Sequence, residues 1–169
     1  KDIKDLDSIF TSRVLGALDR LNSFKIIVNR TKIKKLQKHK NPDIRELANA
    51  YTLNIYDSDD IYDFFDFTTE PFTPWQQLEY FQLITNRPLA PKADFGKWIN
   101  PKYENSIINL SLDLVAYYHQ ETAIEPIHSM IKIDHTKMRR KMIRTLGILN
   151  QKQSIVVLMN LYLEEGRKV

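Results

Sequence analysis

Cysteine is absent from these 169 residues, so neither a disulfide nor a thiolate metal site can be drawn. That absence leaves the cellular compartment open. Glycine is scarce: none of the 4 glycines (Gly16, Gly96, Gly147, Gly166) falls in a GxGxxG or Walker-type loop, which excludes nucleotide-binding enzymes built on such loops. Asn-Gly and Asp-Gly pairs are missing, which argues against hairpin-rich β folds. No run of about 18 or more apolar residues exists, so no stretch reads as a membrane-spanning helix. The histidines (His39, His119, His128, His135) form no i, i+4 pair and no HExxH, so no metal site is expected. Ser, His and Asp all occur, but without a GxSxG elbow they carry no catalytic signal. No leader peptide is visible, yet Lys1 is not an initiator methionine. The expectation is a fragment lacking an upstream targeting or anchoring segment.

What the chain does contain is a recurring helix start. Asn41-Pro42, Thr73-Pro74 and Asn100-Pro101 each place an N-cap residue before a proline, and Asp134-His135-Thr136 makes a fourth start. The prolines lie 32 and 27 residues apart, and Thr136 follows 35 residues on. Repeats of about 20–50 residues are the mark of a solenoid or array, which works by presenting a surface.

Apolar spacing fills in the helices. Residues 3–24 read as one amphipathic helix, with Ile3, Leu6, Ile9, Phe10, Val14 and Leu18 on its stripe. Residues 26–39 read as a basic helix with Ile26, Ile27, Ile33 and Leu36 inward. The helix from Pro42 buries Ile44, Leu47, Ala48 and Tyr51. Residues 56–70 (YDSDDIYDFFDFTTE) are acidic and aromatic, and hold a short helix with Ile61, Phe64 and Phe65 inward. Pro74 opens a helix with Trp75, Leu78, Phe81, Leu83 and Ile84 as its apolar set. A Pro-rich connection spans 86–93, and a short helix follows over 94–99. Pro101 opens the helix 102–119, with a partner over 121–132 and another helix over 136–149. The last helix starts near Gln151, and its run Ile155-Val156-Val157-Leu158-Met159 with Leu161-Tyr162-Leu163 is apolar on all sides. One face packs on the preceding helix. The other calls for a cover from a further repeat or a second copy, so either a truncated array or a homodimer through residues 155–163 is expected.

Charge is unevenly spread. Residues 1–40 carry 11 basic and 4 acidic side chains, 41–80 carry 1 and 9, 81–130 carry 4 and 5, and 131–169 carry 9 and 3. Differently signed solvated faces and two distinct interaction surfaces both account for this pattern. The sharpest candidate for an anionic partner is Lys137, Arg140, Lys141 and Arg144, with Arg140 and Arg144 one turn apart. The basic residues Arg30, Lys32, Lys34, Lys35, Lys38 and Lys40 suit an anionic membrane surface.

Residues 134–163 resemble the HEAT-repeat family. The matching residues are Asp134, the apolar-Arg pair Met138-Arg139, then Met142, Ile143 and Leu146-Gly147-x-Leu149. Ile44-Arg45 keeps the pair, whereas Tyr103-Glu104 and Gln76-Gln77 do not. The stretch FGKWINPKYENSIINLSLDLVAYYHQETAIEPI with the repeat at 134 is similar to HEAT-repeat domains of membrane-anchored proteins from Bacteroidetes-type bacteria. The resemblance implies an all-α fold, a right-handed α-α superhelix of about four or more helical hairpins, spanning 1–169 as one repeat domain. It implies structural roles for Asp134, Arg139 and Arg45. It also implies a cytoplasmic scaffold tethered by a preceding membrane helix, binding another protein on a concave surface of helices 42–55, 74–85, 102–118 and 136–149. No enzyme activity and no cofactor are expected. The competing reading is a HEAT-like nucleic-acid-binding protein or alkylpurine DNA glycosylase, for which Trp75, Trp98, Asp94 and Asp113 are raw material; the acidic middle of the chain disfavours a duplex.

Overall fold

The computed structural model describes residues 1–56, 59–68, 70–87, 93–133, 135–149 and 152–166. Among them all regular structure is helical, and no strand is present, so the chain is all-α. It divides into two compact units, residues 1–68 with 78–93, and residues 69–77 with 94–169. Of the Pro-rich connection expected over 86–93, residues 88–92 lie outside the described residues, as do Asp134 and the link at 150–151.

The first unit holds α1 (Asp2–Asp5), α2 (Thr11–Ser23), α3 (Arg30–Leu36), α4 (Pro42–Ile55), α5 (Asp59–Phe67) and residues 78–85 of α6 (Pro74–Thr85). The start at Asn41-Pro42 is as expected: the Asn41 side chain accepts from the Asp43 and Ile44 N–H groups at 2.9 and 3.2 Å, and Pro42 stands in the first turn. α4 is the centre of this unit; α2, α3 and α5 all pack on it. Its buried face includes Ile44, Ala48 and Tyr51, packed in one cluster with Val14, Leu18 and Leu21 of α2 and Ile33 and Leu36 of α3.

Two helices end sooner than their apolar spacing suggests. The stretch 3–24 is broken between α1 and α2, because the Ser8 hydroxyl accepts the Phe10 N–H at 3.2 Å and Phe10 enters α2 with extended backbone. Ile9 is therefore 91% exposed, and Phe10 is also exposed. The helix expected over 26–39 shrinks to Arg30–Leu36. Asn29 caps it by accepting the Thr31 N–H at 2.9 Å, and Ile26 and Ile27 lie outside it and face solvent. Two tyrosines hold the segment before that cap. The Tyr51 hydroxyl accepts the Val28 N–H at 3.0 Å and donates to the Ile26 carbonyl, while the Tyr56 hydroxyl donates to the Val28 carbonyl at 2.7 Å. α6 buries Tyr80 and Ile84, with Tyr80 packed edge-on against Phe64 of α5, and leaves Trp75 and Leu78 exposed. Its apolar residues surround the helix almost completely, so periodicity could not say which face turns inward.

The second unit holds α7 (Asn105–Tyr118), α8 (Ile124–Met130), α9 (Thr136–Leu149) and α10 (Lys152–Gly166), with 3-10 turns at Phe95–Trp98 and Glu121–Ala123. α7 is its centre and buries Ile107, Ile108, Leu110, Leu112, Leu114 and Val115. α9 and the Phe95–Trp98 turn pack against it. Thr73 and Gln76 form a reciprocal capping box, each side chain accepting the other's N–H, at 3.2 and 2.9 Å. Asn100-Pro101 does not open a helix as expected. Asn100 instead closes a turn, its side chain accepting from the Lys102 N–H and its carbonyl from the Tyr103 N–H, and α7 begins only at Asn105.

Glycine scarcity leaves a mark on both units. Helix ends commonly pass through a left-handed residue that is usually glycine. Here α2 and α7 end on Lys25 and His119, each with φ of 51°.

Candidate functional site

The basic cluster singled out in the sequence lies on α9. His135 caps this helix, its Nδ1 accepting the Met138 N–H at 3.1 Å. Met138, Met142, Leu146 and Leu149 are buried, which turns Lys137, Arg140 and Arg144 out to solvent. Among the described residues none of these three makes an ion pair. Lys141 departs from the expected ridge. Its ammonium donates to the Asp113 carboxylate of α7 at 2.7 Å, and that half-buried pair ties α9 to α7. Position 141 falls beside Met142 and the core stripe, where an ammonium has to find a partner.

The cations sit at an awkward end of the helix. Lys137, Arg139 and Arg140 fall in the opening turns of α9, whose first turn has no acidic residue. The partial positive charge of a helix N-terminus disfavours a cation in the first turn, here Lys137, by about 0.3–1 kcal/mol, and the Arg140–Arg144 pair adds like-charge repulsion of about 0.2–0.5 kcal/mol. An anion over this ridge relieves both. Arg139 is half-buried and engaged with neighbouring groups. Arg45 has a structural duty: its Nη1 donates to the His39 and Lys40 carbonyls at 2.8 and 3.0 Å and holds the link between α3 and α4.

α10 packs against α8 and α9. Ser154 is buried, Val157 and Leu158 are half-buried, and Ile155, Val156, Met159, Tyr162 and Leu163 are exposed, Tyr162 by 79%. Ile143 and Ile148 of α9 are exposed as well, and a methyl placed on Gly147 would meet nothing within 4 Å.

The residues gathered for base excision have local duties. Trp98 is fully buried beside Phe95, with ring centroids 5.9 Å apart. Asp94 accepts from the Gly96 N–H and the Thr122 hydroxyl, and so caps the Phe95–Trp98 turn. Asp113 pairs with Lys141. Trp75 is open to solvent, 72% exposed. Among the described residues no three metal-ligating side chains cluster, and no helix is long and apolar enough to cross a membrane.

The basic stretch of the first unit is partly neutralised. Arg20 pairs with Asp2, Lys32 with Asp7 and Lys34 with Asp63, and the Arg30 guanidinium lies over the Tyr56 ring. The Arg20 guanidinium holds the Asp2 carboxyl below the usual carboxylate range. Burial, with help from Glu46, raises Glu79. Burial also raises Tyr51 and Tyr80. The Tyr51–Tyr56 clamp was not foreseen from the sequence. The only local hint is the extended-favouring run Ile26-Ile27-Val28 directly before the Asn29 cap. No protein-family model matches the chain, and no curated protein matches it.

Proposed function

We propose that the chain is a protein-interaction scaffold of HEAT-like helical hairpins, a right-handed superhelical array that acts by binding and not by catalysis. The observation that supports this is the second unit's open surface: an uncovered apolar face on α10 adjoining α9, which displays Lys137, Arg140 and Arg144 unneutralised among the described residues. Apolar area supplies attraction and the guanidinium groups select an acidic partner. The partner is another protein chain, or a second copy through residues 155–163. The scaffold works on the cytoplasmic side, tethered to a membrane.

The absence of cysteine makes the test direct. A single cysteine at Tyr162 carries a photo-crosslinker, and one at Glu125, exposed on α8, serves as control. Adducts with one protein, or with a second copy, from position 162 and not from 125 support the scaffold reading. They should vanish when Met159→Glu and Arg140→Ala are added. Equal labelling from both positions, or none from 162, overturns it. The base-excision reading makes the opposite demand: salt-dependent DNA binding lost in Arg140→Ala with Arg144→Ala.

A further inference from the structure

The first unit has a second group of exposed apolar side chains, which the scaffold reading leaves without a role. Phe24 is 74% exposed and Ile27 is 75% exposed, and Ile3 and Ile26 are exposed beside them. Three contacts bring them to one end of the unit. The Arg20 guanidinium donates from Nε and Nη2 to Asp2, at 3.1 and 2.8 Å, which sets α1 along the last turns of α2, and Phe24 follows Arg20 by one turn. Lys32 Nζ reaches the Ile3 carbonyl at 3.2 Å and Asp7 at 2.6 Å, which brings the first turn of α3 to the same place. Lys25 in its left-handed conformation reverses the chain between Phe24 and Ile26. The Ile26 N–H then returns to the Leu21 carbonyl at 2.9 Å, and the Lys25 N–H to that of Asn22 at 3.1 Å.

Behind this tip the backbone is held in place. Tyr51 and Tyr56 satisfy the Val28 amide and the Ile26 and Val28 carbonyls from inside. Val28 points inward, so its neighbour Ile27 points out. Side chains exposed by three quarters protrude and do not line a groove, which disfavours a peptide as occupant. The nearby cations Lys4 and Lys25 are exposed and carry no ion pair among the described residues. Asp2 and Asp7 are already paired, and Asp5 and Asp19 lie close enough to Arg20 to interact with its charge. Protruding apolar groups flanked by the exposed ammonium groups of Lys4 and Lys25 match a medium that is apolar below and anionic at its surface.

We infer that this end of the first unit, centred on Phe24, Lys25 and Ile27, docks on the surface of an anionic lipid bilayer. Phe24 and Ile27 enter the boundary between headgroups and acyl chains, while Lys4 and Lys25 lie against lipid phosphates. The inference rests on different residues from those of α9 and α10 and stands or falls separately.

The test is co-sedimentation of the intact 169-residue chain with phosphatidylcholine vesicles, with and without phosphatidylglycerol. Binding is expected only to the anionic vesicles, falling as salt is added. Lys25→Gln should weaken it about fivefold. Phe24→Ser with Ile27→Ser should weaken it about tenfold or more at unchanged stability, since both side chains are already in water. A polarity-sensitive dye on Phe24→Cys should shift to the blue on binding, and the same dye at Glu125→Cys should not. Absence of binding to anionic vesicles overturns the inference. So does equal binding to neutral vesicles, binding that survives Phe24→Ser with Ile27→Ser, or binding lost only in Arg140→Gln with Arg144→Gln. The crosslink from position 162 should be unaffected by Phe24→Ser with Ile27→Ser, which separates this outcome from that of the scaffold reading.

Discussion

Tyr51→Phe isolates one hydroxyl. The ring stays and keeps its edge-on contact with Tyr56, at 5.6 Å between centroids, so no cavity opens. What is lost is the acceptor for the Val28 N–H and the donor to the Ile26 carbonyl. These two groups do not weigh equally. Val28 is buried, and its amide makes no other hydrogen bond among the described residues, so leaving it unsatisfied costs about 1–3 kcal/mol. Ile26 is exposed, and water replaces the phenol at its carbonyl for little. The expected loss is therefore about 1–3 kcal/mol, with the Val28 amide carrying most of it. Tyr56→Phe removes the donor to the carbonyl of the same residue. Because both phenols hold Val28, the double variant should lose less than the sum of the singles, with a coupling above about 0.5 kcal/mol. Equilibrium unfolding in guanidinium gives all four corners of the cycle, and hydrogen exchange at the Val28 amide should quicken in Tyr51→Phe. A loss below about 0.5 kcal/mol, or strict additivity, refutes the clamp.

The two informative glycines should respond with opposite signs. A methyl on Gly96 would meet the Ala123 Cα at 2.9 Å, so Gly96→Ala should cost about 1–3 kcal/mol, while Gly147→Ala on the open face of α9 should gain about 0.5–1 kcal/mol; thermal unfolding of both variants checks the contrast. His119→Gly relieves a left-handed residue at the end of α7 and should stabilise by about 0.5–1 kcal/mol, whereas His119→Val should destabilise. Tyr51 and Tyr80 have phenols raised above their ordinary pKa of about 10 by burial, so the folded chain holds these protons more tightly than the unfolded one. Their contribution is complete below about pH 10 and is lost as pH climbs from there toward the folded values. Stability should fall steeply in alkali, and Tyr80→Phe should make that fall shallower; an unchanged alkaline slope would contradict the burial.

Local chemistry was the legible part. Asn41-Pro42 and Thr73-Pro74 start helices because a cap reaches only two or three residues ahead, and those residues are adjacent in the chain. The cores of α4, α7 and α9 were equally readable, because their apolar residues recur at helical spacing on one side. Asn100-Pro101 carried the same signature and formed a turn, with α7 starting only at Asn105. The charged ridge on α9 was visible in outline, but the capture of Lys141 by Asp113, 28 residues away, was not.

Composition and periodicity determined by themselves that this chain is helical, where most of its helices lie and that α10 has apolar residues on more than one side. Tertiary structure alone decided which apolar residues stay wet. Ile26 and Ile27 are isoleucines like the buried Ile33, yet they face solvent because Tyr51, 25 residues from Ile26, holds the backbone from within. Hydrogen-bond caps act over a turn of chain and can be read along it. Burial depends on what a residue meets in space, and that partner is set by segments far off in sequence.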